Sequence, residues 1–534
     1  MLKLLRHEPY VTETTLAYSS SEQRSLFPEE QLHNERSFTV GNRTIYQAQS
    51  QELRNLFEDA GHPRKVMCVA LDYAKATHTA LLCNGAGEYL RKPFPVYNSQ
   101  EGIDYLVERV RAGCKKHRIQ SKHVFFGGED TPTYAVNFMH ALRSRGWLVA
   151  FVNAWEAKKQ RENMQASSDI LDLLGIAKML LNRRCNTNPA QTGIYLNLRN
   201  LVRNRRRLVH MRTETSNRMH TLVDQLFPGF LDERKSGIVG FSAGSLWLME
   251  DRFSARQIRR RRSDGLMHGL QRCGTPHPDK AVAKLKTLAE QALGPASEYI
   301  DTLQISLGQQ VALHRCLSDN IEQSEHEMAV LLAQTPGALL TSVRTIATVL
   351  ASGVVAELGD PHAQNPVNNL CSYAGIIPRT KQTGGPEQDP KTGRVRKRAN
   401  RILKDYIVQS GSLIGRQGPP DLMADHHRRQ STGQHADFGI ARRYLRLGMC
   451  LMRTGQIYLP PELRTEDATP EQRAAYYLKL WPNLSAKWRR VKADHIAFDP
   501  KNPLGQWRNM VEELYGIKLP LKRPLVDGGG KRKR

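Results

Sequence analysis

The stretch KVMCVALDY at residues 65–73 is apolar almost without a break, which is typical of a strand buried inside a sheet. Two more strand-like runs follow closely: THTALLCN at residues 77–84 and, after the glycine turn NGAGEY, YLRKPFPVY at residues 89–97. The sequence therefore predicts that the ordered part of the chain starts with a meander of three strands.

Helical and strand-like segments alternate after this meander. Residues 99–116 carry Ile103, Leu106, Val107 and Val110 on one face, as an amphipathic helix does. We predict next a strand at 123–130 (HVFFGGED), a helix at 134–145, a strand at 147–153 (WLVAFVN) and a helix at 168–182. Three strands followed by helix, strand, helix, strand and helix is the order of an RNase H-like fold, an α/β domain in which helices flank a mixed sheet.

Four carboxylates fall at the ends of these predicted elements. Asp72 ends the first strand, Glu129 ends the fourth, and Asp169 and Asp172 lie in the first turn of the last helix. Ligands of open α/β sheets gather at the carboxyl ends of strands, so we expect the four acids to converge. Because like charges repel, such a cluster needs a cation, and all-oxygen ligands favour Mg²⁺ or Mn²⁺. Ions of this kind support phosphodiester cleavage or transfer.

The aspartate pair also has a simpler interpretation. Residues three apart share a helix face, Ser167 or Ser168 can cap the helix, and acidic groups are favoured near a helix N-terminus. Capping accounts for one aspartate, but Asp172 lies among leucines that should be buried. The local sequence alone leaves both interpretations open.

The charge of the chain favours a polyanionic partner. Its 534 residues include 78 Lys and Arg against 52 Asp and Glu, a formal net charge of +26. The excess is concentrated in four runs, at residues 203–207, 259–262, 391–404 and 531–534. Such runs can be ordinary solvated faces, but four of them in one chain are better explained by contacts with nucleic-acid phosphates.

Cysteine usage and hydropathy indicate the compartment. The eight cysteines are scattered without a C-x-x-C pair, which fits reduced thiols and predicts no zinc site. No run of eighteen apolar residues occurs, and the first residues lack the apolar core of a secretion signal. We expect a cytoplasmic protein that does not enter the membrane.

Changes in composition suggest five segments. We predict an N-terminal extension at 1–62, the catalytic α/β domain at 63–185, a helical hairpin or dimerising stalk with a basic insert at 186–335, a compact helical domain at 336–457, and a basic C-terminal extension at 458–534.

Two groups of motifs resemble one known family. The first contains Asp72 in VALDYAKATH, Glu129 in GGEDTPTY, and the D-x-x-D pair of Asp169 and Asp172. The second comprises VVAELGDP, NNLCSYAGIIPR, TGG and GRVRKRANRILKD. Together these motifs, over residues 64–185 and 336–455, resemble the DEDD insertion-sequence transposases. Those enzymes are related to the Piv invertases and have a catalytic domain similar to the Holliday-junction resolvase RuvC.

The resemblance implies a recombinase that moves a mobile element in the bacterial cytosol. It implies that the four acids hold Mg²⁺ or Mn²⁺, that a hydroxyl in the second region attacks DNA, and that an element-encoded guide RNA selects the sites. Where the family has a nucleophilic serine, five residues after Pro378, this chain has Thr383, whose hydroxyl could also act as a nucleophile. We expect a dimer or tetramer. The basic residues expected to contact nucleic acid are Arg203, Arg205, Arg206, Arg207, Arg396, Lys397, Arg398, Arg401 and Lys404.

Three other functions remain open at this stage. One is a transposase-derived protein that binds DNA or RNA without exchanging strands, which the threonine at position 383 allows. Another is a RuvC-like nuclease that only hydrolyses. The third follows from GFSAGS at residues 240–245, which matches the G-x-S-x-G motif of serine hydrolases, although only two apolar residues precede it in place of a buried strand.

Overall fold

The computed structural model describes residues 50–129, 134–160, 168–187, 193–362, 367–381, 391–395, 399–465, 467–488, 497, 499 and 502–519. They divide into two compact units near residue 190. We call the described residues 50–187 the sheet unit and those from 193 to 519 the helical unit.

The sheet unit has the predicted RNase H-like architecture. Its strands are β1 (Met67–Asp72), β2 (Thr77–Asn84), β3 (Tyr89–Tyr97), β4 (Val124–Glu129) and β5 (Leu148–Val152). Its helices are α1 (Gln51–Ala60), α2 (Gln100–His117), α3 (Ala135–Ser144), α4 (Ala154–Lys159) and α5 (Asp169–Leu181). The strands lie in the order β3-β2-β1-β4-β5, with β1 antiparallel to β2 and parallel to β4. The mixed sheet is therefore confirmed, and β1 lies at its centre.

Each face of this sheet is covered by helices. The α2 and α3 helices pack on the face that contains Val69 and Phe126. The α1 and α5 helices pack on the opposite face, which contains Ala70 and Phe125. The sequence-based division assigned α1 to the N-terminal extension, yet its Leu53 and Leu56 are buried in the core of the sheet unit.

The helical unit is organised around two long antiparallel helices, α6 (Gly193–Leu226) and α12 (Ser297–Ala333). Arg205 near the start of α6 pairs with Glu325 near the end of α12, and Val223 near the end of α6 packs in one cluster with Leu307 near the start of α12. The two helices therefore run in opposite directions. We call this antiparallel pair of helices the stalk. Along the sequence, the two stalk helices are separated by α7 (Glu233–Ser236), α8 (Ala243–Glu250), α9 (Ala255–Arg260), α10 (Ser263–Arg272) and α11 (Pro278–Gln291).

The rest of the helical unit surrounds the other end of the stalk. It consists of α13 (Thr348–Leu358), α14 (Val367–Tyr373), the two-stranded ribbon β6 (Pro378–Lys381) and β7 (Lys391–Val395), α15 (Arg401–Gln417), α16 (Pro420–Ser431), α17 (Ala436–Thr454), α18 (Pro470–Trp488) and α19 (Pro503–Tyr515). The α13, α15 and α17 helices share one core with the α6 residues Leu198 and Val202. Among the described residues, no helix is both long and apolar enough to cross a membrane.

Candidate functional site

Two of the four predicted acids end neighbouring parallel strands. The β1–β4 register pairs Leu71 with Gly128, so Asp72 and Glu129 are the next residues on each strand. Side chains alternate along a strand, which places Asp72 on the same face as Ala70 and Glu129 on the same face as Gly127. Both carboxylates therefore lie at the carboxyl edge, on the face that α5 covers.

The glycine pair before Glu129 allows close packing at this edge. A Cβ at Gly127 would lie 2.3 Å from Leu180 of α5, and a Cβ at Gly128 would lie 2.3 Å from the Tyr73 ring. Any larger side chain would therefore push α5 away from β4 or displace Tyr73. The motif VFFGGED thus has a packing explanation as well as a chemical one.

The α5 helix directs its first turn towards the same edge. Near its end, Leu181 lies 4.0 Å from where a Cβ of Gly87 would be, in the β2–β3 turn. That turn follows Asn84, which pairs with Met67 at the start of β1. Because the end of α5 lies at the amino edge, its beginning, with Asp169 and Asp172, points to the carboxyl edge.

Ser168 caps this helix, so neither aspartate is needed for capping. The Ser168 hydroxyl accepts a hydrogen bond from the Leu171 amide at 3.3 Å. Asp169 is exposed and Asp172 is half-buried. The Ser168 cap therefore accounts for the helix start without either aspartate.

The donor chemistry fits a hard divalent cation, because all four side chains offer carboxylate oxygens. Within the residues that the structure describes, however, no three Asp, Glu, His or Cys side chains lie close enough together to bind a metal ion. Asp72 and Glu129 thus lie at adjacent positions, and α5 directs the turn that carries Asp169 and Asp172 towards the same edge. Within the described residues, these side chains are not close enough together to form a metal site.

Two buried aromatic rings pack near the end of β1 on the opposite face of the sheet, the one that α2 and α3 cover. His78 is fully buried, and its Nδ1 accepts a hydrogen bond from the Ala74 amide at 3.1 Å. Burial lowers the pKa of His78, so the ring is neutral at physiological pH. Burial also raises the pKa of Tyr73, which packs against His78 edge-on at 5.3 Å. These rings support the end of β1.

In the helical unit, the arginines of α6 bind carboxylates of the protein itself. Arg203 donates to both oxygens of Glu357, at 2.8 and 3.0 Å, and Arg199 lies 3.4 Å from the same carboxylate. Glu357 is fully buried in α13. Burial alone would raise its pKa, but the bonds from Arg203 and Asn400 and the charge of Arg199 hold the pKa below its usual value.

The other α6 arginines differ in their surroundings. Arg205 donates to Glu325 at 2.7 Å and Arg206 pairs with Asp405. Arg207 is exposed, and no ion pair is found for it among the described residues. Of the four α6 arginines that we expect to contact phosphates, three thus have structural partners, and their contact with nucleic acid stays a prediction.

The Glu357 carboxylate also fixes the start of α15. Asn400 donates from Nδ2 to Glu357 at 2.7 Å and to the Tyr373 hydroxyl at 2.8 Å, while its Oδ1 accepts from the Leu403 amide at 3.1 Å. This network was not predicted from the sequence. A lone glutamate in the apolar run SGVVAELGD was the only signal of it.

The predicted basic residues of this helix lie beside that network. Arg401 is exposed at the first turn of α15, and the Lys404 ammonium lies 5.4 Å from the centre of the Phe438 ring. Thr383, Arg396, Lys397 and Arg398 lie outside the described residues.

The hydrolase interpretation of GFSAGS was wrong. Ser242 is the N-cap of α8, accepting a hydrogen bond from the Ser245 amide at 3.4 Å. No strand precedes it, since residues 193–362 are all described and contain none. A nucleophile elbow requires a strand before the serine.

Comparisons with known proteins agree with this architecture. Residues 69–228 match the family model DEDD_Tnp_IS110, described as Transposase. Residues 337–421 match the model described as Transposase IS116/IS110/IS902 family. The two matches support a transposase, a DNA-recombining enzyme of a mobile element. More narrowly, they support a transposase of the IS110 type. A comparison with curated proteins gave no match.

Proposed function

We propose that this protein is a metal-dependent transposase that cleaves and exchanges DNA strands, with an element-encoded RNA guiding the choice of sites. The observation that carries the proposal is the pairing of Asp72 and Glu129 at the carboxyl ends of neighbouring parallel strands, within a region that matches a DEDD transposase model. The orientation of α5, with Asp169 and Asp172 at its start, supports it further.

In this proposal Asp72, Glu129, Asp169 and Asp172 hold Mg²⁺ or Mn²⁺. The ion would neutralise negative charge on the phosphodiester oxygens. Gly127 lets α5 pack closely against β4, on the face that carries the two strand-end carboxylates.

Thr383 is the proposed nucleophile. Its hydroxyl loses a proton and its oxygen attacks phosphorus, which forms a threonine–phosphate bond, breaks one P–O bond of the DNA and leaves a free deoxyribose hydroxyl. Attack by a hydroxyl of another strand then re-forms a phosphodiester and releases the threonine, so strands are exchanged without net hydrolysis.

The network around Glu357 would give the second region a fixed basic face. It holds the N-cap residue Asn400 against Glu357 and Tyr373, so Arg401 and Lys404 follow a fixed helix start. We propose that these two residues, together with Arg207, Arg396, Lys397 and Arg398, contact nucleic-acid phosphates.

A covalent-adduct assay tests the proposal. Full-length protein is incubated with labelled element-end DNA and Mg²⁺, with and without the RNA flanking the gene, and a protein–DNA adduct that survives denaturation is sought. We expect an RNA-dependent adduct that Thr383→Ser retains and Thr383→Ala abolishes. The matched control is Thr287→Ala, which alters an exposed threonine of α11 and should leave the adduct unchanged.

Other results would assign a different function. DNA cleavage that Thr383→Ala does not affect would show a nuclease that only hydrolyses. Salt-sensitive binding with no cleaved or joined product would show a transposase-derived binding protein.

A further inference from the structure

The far end of the stalk carries a group of arginines that the proposed catalytic chemistry does not use. Arg256, Arg259 and Arg260 lie on α9 at i, i+3 and i+4, so they share one helix face. All three are exposed, and the structure shows no ion pair for them within its described residues. We call these three residues the stalk-tip arginines.

The backbone that carries them is held in place. The Lys286 ammonium donates to the carbonyl oxygens of Ile258 and Arg259, each at 2.9 Å, and also to that of Arg261. Beneath them, Ile258 is fully buried in the local core. The stalk-tip arginines therefore project from a rigid base, which lowers the ordering cost of binding a ligand.

This arrangement concentrates positive charge with little compensation. Lys286 adds a further cation beneath the arginine-rich segment, and Arg261 is the one residue there with an acidic partner in the described region, at 3.6 Å from Asp251. Like charges this close repel one another unless an anion neutralises them. A surface of this kind fits a ligand that presents several regularly spaced phosphates.

The distance of the stalk tip from α15 indicates how much duplex would lie between them. The α6 helix continues for 20 residues from Arg206, where Asp405 of α15 binds, to Leu226 at its end. At 1.5 Å per residue this is about 30 Å, which is roughly nine base pairs of duplex at 3.4 Å each. In addition, residues 229–336 lie between the two family matches, so the tip belongs to a part of the chain that neither match covers.

We propose that the stalk-tip arginines bind the backbone of duplex DNA beyond the segment held at α15, and so anchor flanking DNA. The proposal rests on the proposed function in taking DNA as the partner and in placing a DNA segment at α15. It requires no strand cleavage, so it can be tested even if no covalent adduct forms.

The experiment compares full-length wild type with the triple variant Arg256→Gln, Arg259→Gln and Arg260→Gln. The control, Arg111→Gln, Lys115→Gln and Lys116→Gln, removes the same charge from exposed positions on α2 of the sheet unit. Equilibrium binding is measured against salt concentration for DNA duplexes of 8 and 30 base pairs and for an RNA duplex of 30 base pairs.

For the 30-base-pair DNA we expect the tip variant to make the slope of log K against log salt less steep by up to about 2.7. Each lost phosphate contact contributes about 0.9 to this change, and the variant removes three arginines. The 8-base-pair DNA and the α2 control should show a much smaller change. An equal loss for the tip and control variants would overturn the proposal, as would no loss for either. A loss confined to duplex RNA would overturn the assignment to DNA.

Discussion

Replacing Glu357 of α13 by glutamine should destabilise the helical unit more than replacing any acid of the stalk helices by its amide. The Glu357 carboxylate is fully buried and accepts three hydrogen bonds, two from Arg203 and one from Asn400. Removing one partner of a buried ion pair costs about 3–5 kcal/mol. Because the Arg203 side chain is 32% exposed, water can partly solvate its charge, so we expect a loss of about 3 kcal/mol.

The matched control is Glu325→Gln. Glu325 also pairs with an arginine of α6, but its side chain is 30% exposed, and surface pairs contribute about 1 kcal/mol or less. The free energy of unfolding is measured by urea titration, with fluorescence of Trp481 and Trp488 reporting on the core that contains α13. A loss for Glu357→Gln no larger than that for Glu325→Gln would refute the argument from burial.

Measuring the stability of wild type and of Glu357→Gln at different pH values gives a second test, whose direction is fixed by the pKa of Glu357. The folded-state pKa of Glu357 lies below the ordinary value of 4.5, so its stabilisation is complete above that value. It is lost as the pH falls through the folded-state pKa, because the carboxylate then takes up a proton. The difference in stability between wild type and Glu357→Gln should therefore shrink in acid, and a constant difference would contradict this assignment.

Two further predictions concern packing and a buried base. Gly128→Ala should lower the stability of the sheet unit by about 3 kcal/mol, since the new methyl group meets the Tyr73 ring. The control Gly265→Ala adds a methyl group in open space and should change the melting temperature little. Equal melting temperatures for the two variants would contradict this prediction. Burial lowers the pKa of Lys487 to about 7 in the folded protein, so stability should rise between about pH 7 and pH 10, where the unfolded chain binds more protons. Urea titrations across that range should show that the free energy of unfolding rises less steeply with pH for Lys487→Met than for wild type. Parallel dependences on pH would exclude the effect.

The sequence predicted the sheet well because its signals are local. The β2 and β3 strands have the predicted bounds, since alternating or continuous apolar runs ended by glycine turns identify strands without long-range information. The α1 helix was missed because its apolar residues are few, and its place depends on burial of Leu53 and Leu56 against strands far along the chain.

The candidate site was predictable only in part. The carboxyl edge follows from strand order, so Asp72 and Glu129 could be placed together from the sequence. The partners of the basic run could not, because Arg203 and Glu357 are 154 residues apart and no local pattern joins them. A run of arginines has the same sequence pattern whether it binds phosphates or buried carboxylates.

Titration of Mn²⁺ into the full-length protein, followed by calorimetry, tests most directly whether the strand-end acids bind a divalent ion. We expect wild type to bind Mn²⁺, Asp72→Asn and Glu129→Gln each to weaken binding at least tenfold, and Glu108→Gln, an exposed glutamate of α2, to bind as wild type does. Equal Mn²⁺ affinity in all four proteins would contradict the proposed metal site and, with it, the catalytic role of this edge of the sheet.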